Sequence, residues 1–353
     1  MSILFAILLF SFLIFIHELG HFTAAKLSNV QVNEFALFMG PAIFKKQVGE
    51  TLYSIRTIPI GGFCAMEGED SASENPRSIG NAPWWKKLII LFTGPAMNFL
   101  VGVLIFGILY LPGNQIVVPV LGEFSDCCIF NHADGVHTGD EILEIDGEKI
   151  YVYTDVSILL DLNKTIHHDL VVLRDGKRIV FDNLEMAHTH ENADGSEYLH
   201  YGFTFGQVRE VDFLRKLDFV WKIIVDNIRN VRLSLQMLFN GKAGIQDMAG
   251  PVGIVQKMSE VAEESDTTMI AFLNMLSFGG MLAVNLAIMN LLPIPALDGG
   301  RILALLITVA YEKITHRKLK PEYEMYLHAV GMILLLGLMV VIMFKDIFAI
   351  FRG

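Results

Sequence analysis

Four long apolar stretches dominate the pattern of hydrophobic and polar positions along this chain. They carry few or no charged residues, and each is close to the roughly 20 residues that an α-helix needs to cross a bilayer. The pattern predicts a polytopic α-helical membrane protein whose four transmembrane helices cover residues 3–25, 88–111, 269–292 and 325–344. The first stretch could instead be a signal peptide, but no basic residue precedes it and no small-residue cleavage site follows it, so we expect it to be retained.

The region between the second and third apolar stretches has a different pattern. Residues 116–181 alternate short apolar runs with turn signals such as Asp146-Gly147 and Asp175-Gly176, which is typical of a small β-rich domain. Over residues 214–238, apolar positions recur on one helical face with basic residues between them, which predicts an amphipathic helix. This helix could lie on the membrane surface or pack on the β-rich domain, and the sequence leaves both open. The predicted domains are 1–111 (two transmembrane helices and their connection), 112–212 (β-rich), 213–268 (amphipathic) and 269–353 (two transmembrane helices).

Composition agrees with a membrane protein, since 53% of the 353 residues are hydrophobic and the mean hydropathy is +0.47. Charge is distributed unevenly. Residues 112–268 hold 13 Lys and Arg against 26 Asp and Glu, whereas the connection between the first two stretches and the segment after the third are close to neutral or basic. Because short basic loops stay cytoplasmic, we expect residues 112–268 and both termini outside the cytoplasm. The C-terminal ends of the first and third helices then lie together on the cytoplasmic side. We expect no nucleic-acid partner and assign no role to Cys64, Cys127 and Cys128.

A metal-binding pattern lies near the end of the first apolar stretch, where the sequence reads His17-Glu18-Leu19-Gly20-His21. On a helix, two imidazoles at i and i+4 share one face and can bind one zinc ion. Glu18 lies beside the metal, where it can take a proton from water and later deliver it to a leaving amine. Ionisable residues are costly in lipid and functional by default. The sequence therefore predicts a catalytic zinc site.

Two histidines leave a catalytic zinc one protein ligand short, and Asp298 is the candidate for the third. It follows the third apolar stretch, where two prolines break the helix before it and two glycines loosen the backbone after it. Asp298 could instead be the N-cap of a short helix over 302–310. The charge pattern places it on the same side of the membrane as the two histidines, which favours the metal ligand.

These two segments resemble the signature of a known family. The His17–His21 motif together with residues 290–299 (Asn-Leu-Leu-Pro-Ile-Pro-Ala-Leu-Asp-Gly) resembles the site-2 proteases, which are intramembrane zinc metalloproteases, and in particular their bacterial RseP-like branch. Residues 94–98 and 250–254 also resemble segments of that branch. The resemblance implies that His17, His21 and Asp298 bind Zn²⁺, that Glu18 is the general base, and that Asn290, with Asn285, holds the substrate.

The resemblance also implies a substrate class and a location. The substrates would be single-span membrane proteins, such as anti-sigma factors in regulated signalling or remnant signal peptides, cut within the bilayer of the bacterial inner membrane. Residues 51–63 are rich in strand formers and could offer an edge to which an unwound substrate adds as a strand. The resemblance implies a membrane-associated cytoplasmic β-loop here, with Ile58, Gly61 and Gly62 against the substrate. A small hairpin without substrate contact is the alternative, and Asn290 could be a packing residue between helices.

The β-rich region carries a second resemblance. Residues 134–147 are similar to a turn and strand of bacterial PDZ domains, and the region has room for one such domain. It could bind a peptide or act as a size filter for substrate ectodomains, with Asp134 in place of the usual small residue. His188, His190 and His200 are predicted to lie in a solvated loop rather than a second metal site.

Two other classes of function remain open from the sequence. The chain could be a non-enzymatic membrane adaptor that presents its PDZ-like domain, with the metal site idle. It could also be a metal transporter, since broken helices and polar groups inside the membrane serve transport as well. Transport would not require Glu18 beside two ligands, which favours the protease.

Overall fold

The computed structural model describes residues 2–69, 73–125, 135–163, 165–191, 197–317 and 321–352. The interpretations of Cys127, Cys128 and Asp134 concern positions outside these residues. The described chain forms two compact units, residues 1–105 with 227–353 and residues 106–226, which are treated separately below. The elements in chain order are α1 (Ser2–Leu27), β1 (Val32–Val48), β2 (Thr51–Met66), α2 (Trp84–Tyr110), β3 (Gln115–Phe124), β4 (Glu141–Ile145), β5 (Glu148–Lys149), α3 (Asp155–Asn163), β6 (His167–Arg174), β7 (Lys177–Glu185), β8 (His188–Glu191), β9 (Glu197–His200), β10 (Phe203–Glu210), α4 (Phe213–Phe239), α5 (Pro251–Glu263), α6 (Thr268–Asn290), α7 (Asp298–Thr315) and α8 (Pro321–Arg352).

The helices of spanning length match the apolar stretches. Among the described residues, four helices are long and apolar enough to cross a membrane, with candidate spans Leu4–Leu27, Trp84–Tyr110, Thr268–Asn290 and Ala329–Phe348. The prediction of four such helices is confirmed. The second span begins four residues before the predicted stretch, because its helical backbone continues through Trp84 and neighbouring residues that hydropathy alone does not include, and the third ends two residues earlier, at Asn290.

Close helix contacts hold the first unit together. Leu9 and Leu13 of α1 share a buried cluster with Met258 of α5 and Leu282 of α6. A Cβ added to Gly102 of α2 would lie 2.5 Å from the Val284 side chain of α6, so this glycine lets the two backbones approach. The segment 250–254 forms the start of α5, where the buried carboxylate of Asp346 in α8 accepts hydrogen bonds from the Gly250 and Gly253 amides, each at 2.9 Å.

The β1–β2 pair is more than a simple hairpin. Residues 34–37 pair with 52–55 and also with 62–65, while 44–48 pair with 51–55. Residues 62–65 therefore lie at an edge of this small sheet. Arg56 ties the sheet together by donating to Glu34 Oε1 and to the Gly40 carbonyl, both at 2.7 Å.

This sheet packs against the C-terminal half of α1. Ala25 of α1, Phe35 of β1, Cys64 of β2 and Ile90 of α2 belong to one buried cluster. Ser11 of α1 also donates a hydrogen bond to the Pro59 carbonyl at 3.1 Å. The strands predicted over 51–63 are present, and the sheet lies beside the part of α1 that carries the histidine motif.

The second unit is an antiparallel sheet in the order β10-β3-β4-β6-β7, with β5 paired to β4. Val120, Ile142, Leu170 and Val172 are buried in it. These observations confirm the predicted β-rich region. Burial acts to raise the pKa of Asp140, but the hydrogen bonds from Arg174, at 2.7 and 2.8 Å, together with the His137 amide and the Arg174 charge, lower that pKa overall.

The polar segment with three histidines differs from the prediction. Residues 188–191 and 197–200 pair as antiparallel strands, with His188 opposite His200, so the predicted solvated loop is wrong. A strand of this kind depends on backbone pairing and lacks the apolar alternation that would have revealed it.

In α4, Val220 and Ile224 are buried while Leu217 and Trp221 are exposed, so this helix has both a covered and an uncovered apolar side.

Candidate active site

The histidine motif lies on an unbroken helix. α1 extends through residues 2–27, which places His17 and His21 one turn apart with their Nε2 atoms at 3.2 Å. His21 is 7% exposed, and its Nδ1 is 2.8 Å from the Ile90 carbonyl in α2. Since a carbonyl only accepts, Nδ1 of His21 carries the proton, and Nε2 keeps a lone pair for a metal.

Asp298 reaches this pair from a break between two helices. α6 ends at Asn290, the chain passes through Ala296 with a φ of 85°, and α7 begins at Asp298. Its Oδ2 atom lies 3.1 Å from His17 Nε2 and 3.4 Å from His21 Nε2. The N-cap of α7 is Leu297, so the alternative that Asp298 caps a helix over 302–310 is wrong. α7 starts earlier and directs the carboxylate of its first residue to the histidines.

The glycines after Asp298 have a different role from the one predicted. Gly299 and Gly300 are helical residues in the first turn of α7, so they do not loosen the backbone. A Cβ on Gly299 would lie 2.2 Å from the Leu291 carbonyl oxygen, and one on Gly300 would lie 2.2 Å from that of Ile294. The two glycines therefore allow the turn after α6 to fold tightly against α7, which positions Asp298.

The three side chains fit a zinc ion. Ligand atoms at about 2.0–2.1 Å from a tetrahedral zinc are about 3.3 Å from one another. The corresponding separations here are 3.1, 3.2 and 3.4 Å. Two imidazoles and one carboxylate form a ligand set of catalytic zinc, which leaves a fourth position for water or substrate. Gly94 of α2 faces the rings, and a Cβ there would lie 2.3 Å from His21 Nε2, so glycine keeps the ligand atoms accessible.

Glu18 lies next to this site and beside the sheet edge. A Cβ built on Gly62 of β2 would be 3.7 Å from Glu18 Cγ, so the edge residues 62–65 begin against the predicted general base. Ile58 is 50% exposed and pairs with Met39, and Gly61 has a φ of 85°. The structure thus brings Gly62 to Glu18. Ile58 and Gly61 precede Gly62 in the same strand.

The two predicted asparagines lie in the last turns of α6. Asn290 is the final residue of that helix and is half-buried. Asn285 has a buried side-chain oxygen without a hydrogen-bond partner among the described residues. An unpaired buried acceptor of this kind is available to a donor from outside the described residues.

Sequence reasoning missed an ion pair near the site. Arg301, in the first turn of α7, pairs through Nη1 with Glu69 Oε1, just after β2. The second Glu69 oxygen accepts from the Met66 amide at 3.3 Å. A basic residue three positions after Asp298 can be noticed in the sequence. Its partner, Glu69, is distant along the chain, and nothing in the sequence marks it as that partner.

The comparisons with known proteins decide the family. The model of peptidase family M50 matches residues 5–338. The chain belongs to peptidase family M50. A protein of Clostridium acetobutylicum named as a zinc metalloprotease is 32% identical over 346 residues, which is 98% of this chain and 97% of the relative. A protein of Clostridium perfringens with the same kind of name is 33% identical over 98% of both chains. The regulator of sigma-W protease RasP of Bacillus subtilis is 28% identical, also over 98% of both.

Membership in family M50 confirms the predicted site-2 protease family. The chain is a zinc metalloprotease, and zinc is its cofactor. The adaptor and metal-transporter alternatives are therefore not supported. With four helices of spanning length among the described residues, it is also a membrane protein.

Proposed function

We propose that this chain is an intramembrane endopeptidase that hydrolyses a peptide bond within the transmembrane segment of single-span membrane proteins. The observation that carries the proposal is the position of the site. Both histidines and Glu18 belong to the apolar span Leu4–Leu27, and His17 is about 13 Å along the helix from Lys26. A site at that depth acts on a peptide bond that is itself inside the bilayer.

In this proposal His17, His21 and Asp298 hold the zinc, and Glu18 moves the protons. When bound, zinc polarises the scissile carbonyl and lowers the pKa of water at the site. The Glu18 carboxylate accepts a proton from the attacking water and delivers it to the nitrogen of the leaving amine. The hydrogen bond from His21 Nδ1 to Ile90 and the tight turn before Asp298 hold two of the ligands in place.

A transmembrane substrate must unwind before its peptide bond is accessible, since its carbonyls are bonded within the helix. We propose that the unwound segment adds as a strand to residues 62–65, which begin at Gly62 beside Glu18. Ile58 and Gly61 extend this surface, and the Ser11 hydrogen bond fixes Pro59 on α1. Asn290, with Asn285, holds the opened substrate through its side-chain amide. The sheet edge at residues 62–65, with Ile58 and Gly61, belongs to the proposed membrane-associated β-loop on the cytoplasmic side.

The second unit is proposed to be a single PDZ-like domain outside the cytoplasm, with both chain termini on the same side. Its role would be to bind a peptide end or to exclude substrates with large ectodomains. The exposed Leu217 and Trp221 of α4 support the membrane-surface position for this amphipathic segment. The predicted limits 112–212, 213–268 and 269–353 and the bacterial inner membrane location belong to the same proposal.

The substrate class follows from the site and from one relative. The Bacillus subtilis relative is named a regulator of sigma-W protease. Single-span anti-sigma factors are therefore the first substrates to test, and remnant signal peptides are the second.

The test is cleavage by the purified full-length protein in liposomes that contain a panel of single-span substrates. We expect the wild type to cleave at least one of them, and we expect chelator-treated protein and Glu18→Gln to cleave none. Cleavage that survives in Glu18→Gln would overturn the proposed mechanism. Cleavage of a soluble control peptide, but of no substrate in the panel, would overturn the proposed substrate class.

A further inference from the structure

We propose that Asn98 of α2 is a positioning residue that accepts a hydrogen bond from Nδ1–H of His17 through one bridging water molecule. This hydrogen bond would fix the orientation of the His17 ring as a metal ligand. The inference rests on the proposed zinc ligands and adds a residue that neither the sequence nor the family comparison assigns.

Two buried polar atoms near the site lack a partner. His17 Nδ1 and Asn98 Oδ1 are both buried without a hydrogen bond to any described residue, and Asn98 is 1% exposed. When the Nε2 atom of a histidine binds a metal, its Nδ1 carries the proton and needs an acceptor. His21 has one in the Ile90 carbonyl. His17 is the ligand whose acceptor is missing.

The periodicity of α2 brings Asn98 to His17. Ile90, Gly94 and Asn98 are four residues apart and share one face of the helix. The Ile90 carbonyl accepts a hydrogen bond from His21 Nδ1. A Cβ on Gly94 would lie 3.0 Å from His17 Cε1, the ring carbon between the two nitrogens. The face that carries Asn98 is therefore the face on which both imidazoles lie.

The expected direction of the Asn98 side chain is toward the same two rings. Side chains on a helix lean toward its N-terminus, so the Asn98 amide extends over the preceding turn, which is that of Gly94. Gly94 has no side chain to occupy this space. Cβ positions one turn apart are about 5–6 Å from each other, so the Asn98 side chain reaches the space beside the His17 ring that a single bridging water would occupy.

Asn285 has the other unpaired asparagine oxygen in this region. It belongs to α6, whereas the observed contacts of the two rings with α2 are at Ile90 and Gly94, on the helix face that Asn98 continues. This favours Asn98 as the acceptor. The two residues are separated by experiment, because each can be replaced independently.

The test is the zinc affinity of the purified full-length protein, measured by competition with a chromophoric chelator, which needs no substrate. Asn98→Ala and Asn98→Leu should bind zinc about 10- to 100-fold more weakly than the wild type, as is usual when the partner of a ligating histidine is lost. Asn98→Asp keeps an acceptor and should retain wild-type affinity. Asn285→Ala should also retain it.

Each outcome separates this inference from the proposed function. Wild-type affinity in a folded Asn98→Ala overturns the role of Asn98, as does weakened binding in Asn285→Ala alone. Should Asn98→Ala fail to fold, the comparison of Asn98→Asp with Asn98→Leu decides, since only Asp keeps the acceptor. A wild type that binds no zinc, or a His17→Ala variant that binds it as the wild type does, would overturn the proposed ligands and this inference with them.

Discussion

The Nε2 atom of His17 in α1 lies 3.1 Å from the Oδ2 atom of Asp298 in α7, although the two residues are 281 positions apart in the sequence. No local segment can build the site alone. The α1 histidines form the proposed three-ligand site only when the turn after α6 brings the first residue of α7 to them. Zinc affinity should therefore report whether α1 and the turn between α6 and α7 are packed together correctly.

The glycine that faces the ligands should be essential. In Gly94→Ala the new methyl group would lie 2.3 Å from His21 Nε2, and the hydrogen bond from His21 Nδ1 to the Ile90 carbonyl holds that ring in place. We expect loss of zinc and of proteolysis. Gly107→Ala in the same helix is the matched control, because its Cβ would make an ordinary 3.7 Å contact with Leu111. Metal content of the two purified variants measures the effect, and equal zinc content would contradict it.

The ion pair between Glu69 and Arg301 should stabilise the position of α7 relative to the end of β2. Both side chains are partly buried, at 19% and 30% exposure. Glu69→Gln and Arg301→Gln should each lower the free energy of unfolding, and the double variant should lose less than the sum, with a coupling of about 1 kcal/mol. A double-mutant cycle measures the coupling, and strictly additive losses would show that the contact contributes nothing.

Acid should weaken the cluster around Glu50. Its carboxylate accepts from Arg77 at 2.5 Å and from Lys26 at 2.7 Å, and these hydrogen bonds lower the pKa of Glu50 from 4.5 to about 2. Because the folded-state pKa is depressed, the stabilisation is present above pH 4.5 and is lost as the pH falls toward 2. The melting temperature of the wild type should therefore fall more than that of Glu50→Gln across this interval. Identical acid profiles for both proteins would exclude the contribution of Glu50.

Asn290 should act on the substrate and not on the metal. It lies at the end of α6, eight residues before Asp298, and makes none of the metal-ligand contacts among the described residues. Asn290→Ala should keep wild-type zinc affinity while its rate of substrate cleavage falls. Asn274→Ala, an exposed position on the same helix, is the control and should retain cleavage. Full activity in Asn290→Ala would reduce this residue to a packing role.

The sequence predicted the parts of the site that depend on local spacing. The four long helices follow from hydropathy and length, and the pairing of His17 with His21 follows from helical periodicity. Asp298 required an additional argument from charge distribution, because its approach to the histidines depends on a tertiary contact. For His17, His21 and Asp298, the residue type itself indicated metal binding.

The parts that could not be predicted depend on contacts between distant segments. Gly94 has no side chain to mark it, and its role exists only because α2 packs against the two rings. The double pairing of residues 34–37 depends on how β2 folds back on both sides of β1. Glu69 is an ordinary acidic residue until α7 brings Arg301 to it. None of these relationships leaves a periodic signal in one segment.

The central claim is that hydrolysis takes place within the membrane-spanning part of the substrate. Its most direct test is mass spectrometry of both fragments of a single-span substrate cleaved in liposomes by the wild type, with Glu18→Gln as the control. We predict one or a few cut sites inside the apolar span of the substrate, all absent in Glu18→Gln. Cut sites confined to the soluble parts of the substrate, or retained in Glu18→Gln, would contradict the account.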